Sequence, residues 1–253
     1  MLISVVNRSR HLPDAELQRA VRAINRQLAE DFEPHWQFSA RLRVDGAGRA
    51  AHAPDGEVSL PRLPGRRGDA VIYLQDEPTV EAEGYHDKNN EDVPFGFVFL
   101  DVCRQGGDDW TVALSHEAIE LVGDPMSNLL VQGPHPRDRR HLVFHTFELC
   151  DPVQAETYEI DGVKVSNFVL PGWFVRTHVP GARNDFLGRP EAGKALEPFA
   201  IAPGGYLCFW DGDQPEGRRW VQYMPPGDAE SEKRVAAKVA SKLARTARRA
   251  HPA

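Results

Sequence analysis

Cysteine is scarce in this chain: three among 253 residues, Cys103, Cys150 and Cys208, odd in number and far apart. That usage argues against a disulfide framework, and with no Cys-x-x-Cys pair there is neither a zinc ribbon nor a dithiol redox motif. The three lie mostly in apolar stretches and read as buried, reduced thiols, Cys150 included although candidate ligands flank it. Long apolar runs are missing too. None approaches the roughly 18 residues of a membrane helix, and Met1 to Asn7 followed by Arg8 and Arg10 lacks the order of a secretion signal, so a cytoplasmic protein without membrane insertion is expected. A nucleotide loop is also missing, because the Gly204-Gly205 pair has no strand-loop-helix context.

The charge balance is acidic, 30 Lys and Arg against 37 Asp and Glu for a formal net charge of -7. It is unevenly spread. From Glu232 to His251 seven basic residues stand against one acidic residue, so the preceding body is more acidic than the total indicates, and an acidic body is a poor nucleic-acid binder. Nucleic acid is expected, if at all, only through this basic tail, where Val235, Val239 and Leu243 recur at helical steps within residues 228–253. A solvated terminal helix is the preferred reading.

What is present reads as α+β. Leu2 to Val6 is a β-branched strand, and Pro13-Asp14 opens a helix in which Leu17, Val21, Ile24 and Leu28 recur at three- and four-residue steps, ending near Phe32 before Pro34. Alternation from Trp36 to Val44 predicts a second strand, stopped at Asp45-Gly46. A Pro-, Gly- and Arg-rich loop follows from Ala47 to Gly68. Ala70 to Leu74 and Phe95 to Cys103 read as strands, with Gly84-Tyr85-His86 a short edge strand between them. Pro125 to Arg140 is expected as loop, and Leu142 to Leu149 as strand or short helix. Tyr158 to Ile160 and Val163 to Val165, joined by Asp161-Gly162, carry the strongest hairpin signal. Gly204 to Trp210 and Arg219 to Met224 complete the strands, and Trp173 and Phe174 read as a packed core rather than a specificity pocket.

The chain is organised around Leu114-Ser115-His116-Glu117-Ala118-Ile119-Glu120, a His-Glu-x-x-Glu segment on a helix expected from about Trp110 to Val122. Asp108 or Asp109 suits the N-cap, Gly123 the left-handed residue after the last turn, and Pro125 forbids continuation. Residues four apart share a helix face, so His116 and Glu120 project together as a ligand pair with Glu117 on their flank. The bland alternative is a solvated face carrying two surface glutamates.

The segment resembles the His-Glu-x-x-His helix of zincin metallopeptidases, with Glu120 in place of the second imidazole. In zincins the two His bind zinc and the intervening Glu is general base toward the activated water. The order of strands and helices over residues 1–125 is similar to the zincin N-terminal subdomain, a twisted mixed sheet packed on two helices whose edge strand pairs with extended substrate. That resemblance implies a smaller C-terminal subdomain over 126–227, and in its gluzincin form a third ligand from a downstream Glu. Glu148 is the preferred residue, with Asp151 the rival ligand or the carboxylate orienting His116. His116, Glu120 and Glu148 then hold a divalent metal, zinc or, given the added carboxylate, iron or manganese. Glu117 is the catalytic base of a peptidase acting on a peptide or protein substrate, and the alternative is a zincin-like binding protein without catalysis. His141 and His145, four apart, read as surface or interface histidines; His86 and His178 carry no stronger pattern, and Tyr158 reads as a half-buried strand residue.

Overall fold

The computed structural model describes residues 1–45, 65–79, 82–177, 179–190 and 194–225. Most of the Ala47 to Gly68 loop, His178 and the basic tail lie outside the described residues. Two compact units emerge, Met1–Ser127 with Thr157–Ser166, and Asn128–Glu156 with the chain from Asn167 onward. Both strands and helices are present, an α+β protein at the coarse level, and among the described residues no helix is long and apolar enough to cross a membrane.

The first unit is built on strands β1 (Leu2–Asn7), β2 (Arg41–Val44), β3 (Ala70–Gln75), β4 (Gly84–Lys88) and β5 (Pro94–Phe99), in the order β2-β1-β3-β5-β4. All neighbours run parallel except β4, which pairs antiparallel with β5 at the edge. Residues Ala70 to Leu74 are wholly buried, as expected of a strand in a parallel sheet covered on both faces. Helix α1 (Asp14–Arg26) packs against β2, and helix α4 (Trp110–Gly123) against β4 and β5. Leu17, Val21, Ile24 and Leu28 are buried as their spacing predicts. Tyr73, Tyr85, Phe95, Phe97 and Phe99 form an aromatic cluster with neighbouring centroids 5.2 to 6.1 Å apart.

Three expectations for this unit are corrected. The first helix does not stop before Pro34: a π-helical stretch, Gln27–Phe32, follows α1 and leads into α2 (Glu33–Trp36). Pro34 falls just past the π-helical stretch, whose wider i→i+5 bonding, Glu33 N–H to Leu28 O, carries the helical run up to it. Trp36 therefore ends a helix, Gln37 turns the chain at φ 62, and the following strand is only Arg41–Val44. Likewise β5 ends at Phe99, and Leu100–Gly106 is a helix, α3, carrying the buried Cys103. The hairpin β8 (Thr157–Ile160) and β9 (Val163–Ser166) is as expected, with Asp161 at φ 52 and Gly162 at φ 71 in the mirror-image turn that matches strand twist. It belongs to the first unit, β9 lying against α4.

The second unit carries an antiparallel sheet in the order β11-β10-β7-β6, from β6 (Leu130–His135), β7 (Asp138–Thr146), β10 (Leu207–Trp210) and β11 (Trp220–Tyr223). The expected loop up to Arg140 is thus the β6–β7 hairpin. Gly133, a loop signal in sequence, is required in β6 because a Cβ there would stand 2.3 Å from Cε1 of Phe199. Trp173 is buried against Phe174 and Phe199 and donates its indole N–H to Ala200 O at 2.9 Å. That is the packed core expected of it.

Candidate metal centre

Helix α4 is buried almost all round, with Ala113, Leu114, Ala118, Ile119, Leu121 and Val122 among its inward residues. A helix of that kind belongs to the interior, so its polar residues have been carried inside with it. Asp109 occupies the N-cap position, but its carboxylate pairs with Lys164 at 2.8 Å rather than capping the helix. Gly123 is the last helical residue, not a left-handed one after it; Asp124 follows at φ -136 and donates its N–H to Glu120 O at 2.8 Å.

His116, Glu117 and Glu120 are not on a solvated face. Glu120 is 0% and Glu117 6% exposed. His116 Nε2 stands 3.2 Å from Glu120 Oε1, one turn apart on the same face as the spacing requires. A second imidazole lies near the two glutamates: His86, 3% exposed on the edge strand β4, sets Nδ1 3.3 Å from Glu117 Oε2 and 3.7 Å from Glu120 Oε2. Gly84, two residues earlier on the same strand, lies beneath the Glu117 side chain, where a Cβ would stand 2.9 Å from Glu117 Cγ and 3.0 Å from Oε1. The edge strand therefore receives Glu117 at two points.

Glu117 and Glu120 are both buried, and a carboxylate in a low-dielectric interior is costly without a compensating charge. Two imidazolium protons or one divalent cation supply the same compensation. The 3.2 Å between His116 Nε2 and Glu120 Oε1 is the spacing of two ligands about 2.1 Å from one ion, about 3.0 to 3.4 Å, whereas the 3.7 Å from His86 Nδ1 to Glu120 Oε2 exceeds it.

Glu148 and Asp151 belong to the second unit. Glu148 is half-buried just after β7, and Asp151 is 1% exposed at the start of a 3-10 turn, Asp151–Val153, its carbonyl accepting the N–H of Tyr206 at 3.1 Å. Cys150 is fully buried.

The remaining histidines separate clearly. His141 on β7 directs Nε2 to Asp211 Oδ1 at 2.9 Å and Nδ1 to Asp213 Oδ2 at 3.3 Å, and its hydrogen bond to Asp211 holds its pKa above the ordinary imidazole value. A carboxylate at each ring nitrogen is how an imidazolium is bound. His145 is not a surface histidine: it is 0% exposed, donates from Nε2 to Pro134 O at 3.0 Å and packs on Phe199 and Phe209. Tyr158 is half-buried on β8 and donates to Asp31 Oδ2 at 2.8 Å.

His86 is the residue that sequence pattern undervalues. It is a lone histidine in a short polar strand, and only the β4–β5 register, His86 opposite Gly96, carries it to α4. Comparison with protein-family models, curated proteins and solved structures returned no match.

Proposed function

We propose that this chain is a metal-dependent hydrolase of zincin type, acting on a peptide bond. The observation that carries the reading is the burial of Glu117 and Glu120 on one helix, with His116 against Glu120 and the edge strand β4 against Glu117. Carboxylates are seldom fully buried without a charge to meet, and this set has the chemistry of a cation site. His116 and Glu120 hold the ion, zinc or, with a carboxylate in place of the second helix imidazole, iron or manganese. Glu148 is the proposed further ligand, and Asp151 its alternative. A divalent cation so held supplies Lewis acidity toward a water and toward a substrate carbonyl.

Glu117 is the general base. Its carboxylate takes a proton from the attacking water and returns it to the leaving amine, a role that needs a carboxylate within hydrogen-bond reach and shielded from bulk solvent. Strand β4 is last in the sheet order, the position at which an extended peptide would add as a further strand.

Elemental analysis of the purified protein tests the reading, with denatured casein as the peptidase probe. Stoichiometric metal lost in His116→Ala, with Glu117→Gln retaining metal and losing turnover, is the expected result. Glu148→Gln and Asp151→Asn then compare the two downstream carboxylates. Folded protein that binds no zinc, iron or manganese overturns the hydrolase and leaves the catalytically inactive binding scaffold in its place; casein cleavage by Glu117→Gln removes Glu117 from the mechanism.

A further inference from the structure

We propose that Arg8 is an anion-binding residue, its Nε and Nη2 edge taking a ligand that presents two oxygens side by side, a carboxylate or a phosphoryl group. The site goes beyond the hydrolase reading and does not rest on it.

Strand register sets its place. Tyr73, Phe97 and Tyr85 pair in one row across β3, β5 and β4, and Ile72, Gly96 and His86 in the next. Neighbouring rows point to opposite faces of a sheet, so the aromatic cluster lies on the face away from His86. Val6 pairs with Tyr73, and Arg8, two residues further on, returns to the same side, its N–H donating to Leu74 O at 2.8 Å. The guanidinium lies 3.6 Å over the Tyr73 ring. Stacking fixes its plane and leaves its edge to hydrogen-bond.

That edge is unmet. Nε and Nη2 are buried and have no hydrogen-bond partner among the described residues. The same two atoms hold a carboxylate elsewhere in this chain: Arg26 forks Glu30 at 3.2 and 3.0 Å, and Arg43 forks Asp45 at 2.9 and 3.0 Å. Asp76, which follows β3 as Arg8 follows β1, is engaged by the Ser9 hydroxyl and the Arg10 N–H instead. Two desolvated donors on a cation are costly, and a bidentate oxyanion offsets that cost with charge-assisted hydrogen bonds.

The position suits a ligand. β1 and β3 are parallel neighbours, and beyond their carboxyl ends the chain departs in opposite directions, from β1 toward α1 and β2 and from β3 toward β4 and β5. Ligands of open α/β sheets bind in the crevice that such a reversal leaves. Arg8, half-buried as a residue, stands at this reversal.

NMR of the Arg8 Nε–H, assigned by its loss in Arg8→Lys and Arg8→Met, tests this with sodium acetate and inorganic phosphate as probes against chloride at matched ionic strength. A saturable shift is expected with at least one probe; acetate alone identifies a carboxylate ligand, phosphate alone a phosphoryl one. The probe is also expected to raise the thermal midpoint of the wild-type protein. Arg8→Met loses that rise, and Arg8→Lys, which keeps the charge but not the fork, binds more than about tenfold more weakly. An Nε–H that moves no further with acetate or phosphate than with chloride overturns the inference, as does an equal rise in midpoint in Arg8→Met. Where Arg8→Met fails to fold, the wild-type resonance, assigned by Arg8→Lys, decides alone.

Discussion

Ser115 accepts the backbone N–H of Ser166 at 2.7 Å while donating its own hydroxyl proton to Val112 O at 3.0 Å. Both serines are fully buried. The residue just before His116 is thereby fastened to the end of β9, whose carbonyl takes a second bond from Gln27 Nε2 at 2.8 Å. Ser115→Ala leaves a buried N–H with no acceptor, a loss of about 1 to 3 kcal/mol, to be read from urea denaturation. An unchanged midpoint would show that the hairpin end shifts to find another partner.

Gly84 is the position in β4 where a side chain is least tolerated. A Cβ there would meet Phe97 O at 2.9 Å, backbone that cannot swing aside, as well as the Glu117 side chain. Gly84→Ala is expected to lower stability by about 1 to 3 kcal/mol and to displace Glu117, while zinc affinity changes less than in His116→Ala. Denaturation and a crystal structure of the variant check both parts. Glu117 unmoved against an unperturbed β4 would contradict the fit described here.

Arg8, just beyond β1, stacks its guanidinium 3.6 Å over the Tyr73 ring, while Nε and Nη2 are buried without a hydrogen-bond partner among the described residues. Burial holds its pKa below the ordinary arginine value. Arg8→Met removes both unsatisfied donors and keeps a polarisable group on the ring. Stability is expected to stay level or rise by up to about 2 kcal/mol; a fall of more than about 1 kcal/mol would show that the cation–π contact outweighs the unpaired donors.

His145 makes the second unit acid-sensitive. Its desolvation pushes the pKa from 6.5 down to about 4, with Nδ1 meeting no hydrogen-bond partner among the described residues. A depressed folded-state pKa means that the unfolded chain binds the proton first, so stability is full above about 6.5 and drains away as pH falls toward 4. The total contribution is on the order of 3 kcal/mol. NMR titration is expected to show the ring neutral, with its proton on Nε2, until pH approaches 4. Protonation of the folded ring near pH 6.5 would refute the burial argument.

How much of this was legible beforehand varies by element. The spacing of Leu17, Val21, Ile24 and Leu28 identifies a buried stripe running from α1 into the π-helical stretch, and Asp161-Gly162 identifies a hairpin, because both signals are local. Expectations miss where a local signal has two structural outcomes. Pro34 reads as a helix stop, yet the helical run passes through it behind a π-helical stretch; Gly133 reads as loop until Phe199 packs against it. The apolar run from Phe95 to Cys103 divides into strand and helix at Leu100, which periodicity over so few residues does not distinguish.

For the candidate centre, sequence alone determined that His116 and Glu120 share a helical face with Glu117 beside them, since 3.6 residues per turn leaves no other arrangement once the helix forms. It did not determine that these carboxylates lie inside the protein, nor that His86 meets them. Burial depends on what packs around α4, and the approach of His86 depends on an antiparallel register across β4 and β5. Both are set by pairings between distant parts of the chain, which only the tertiary structure decides.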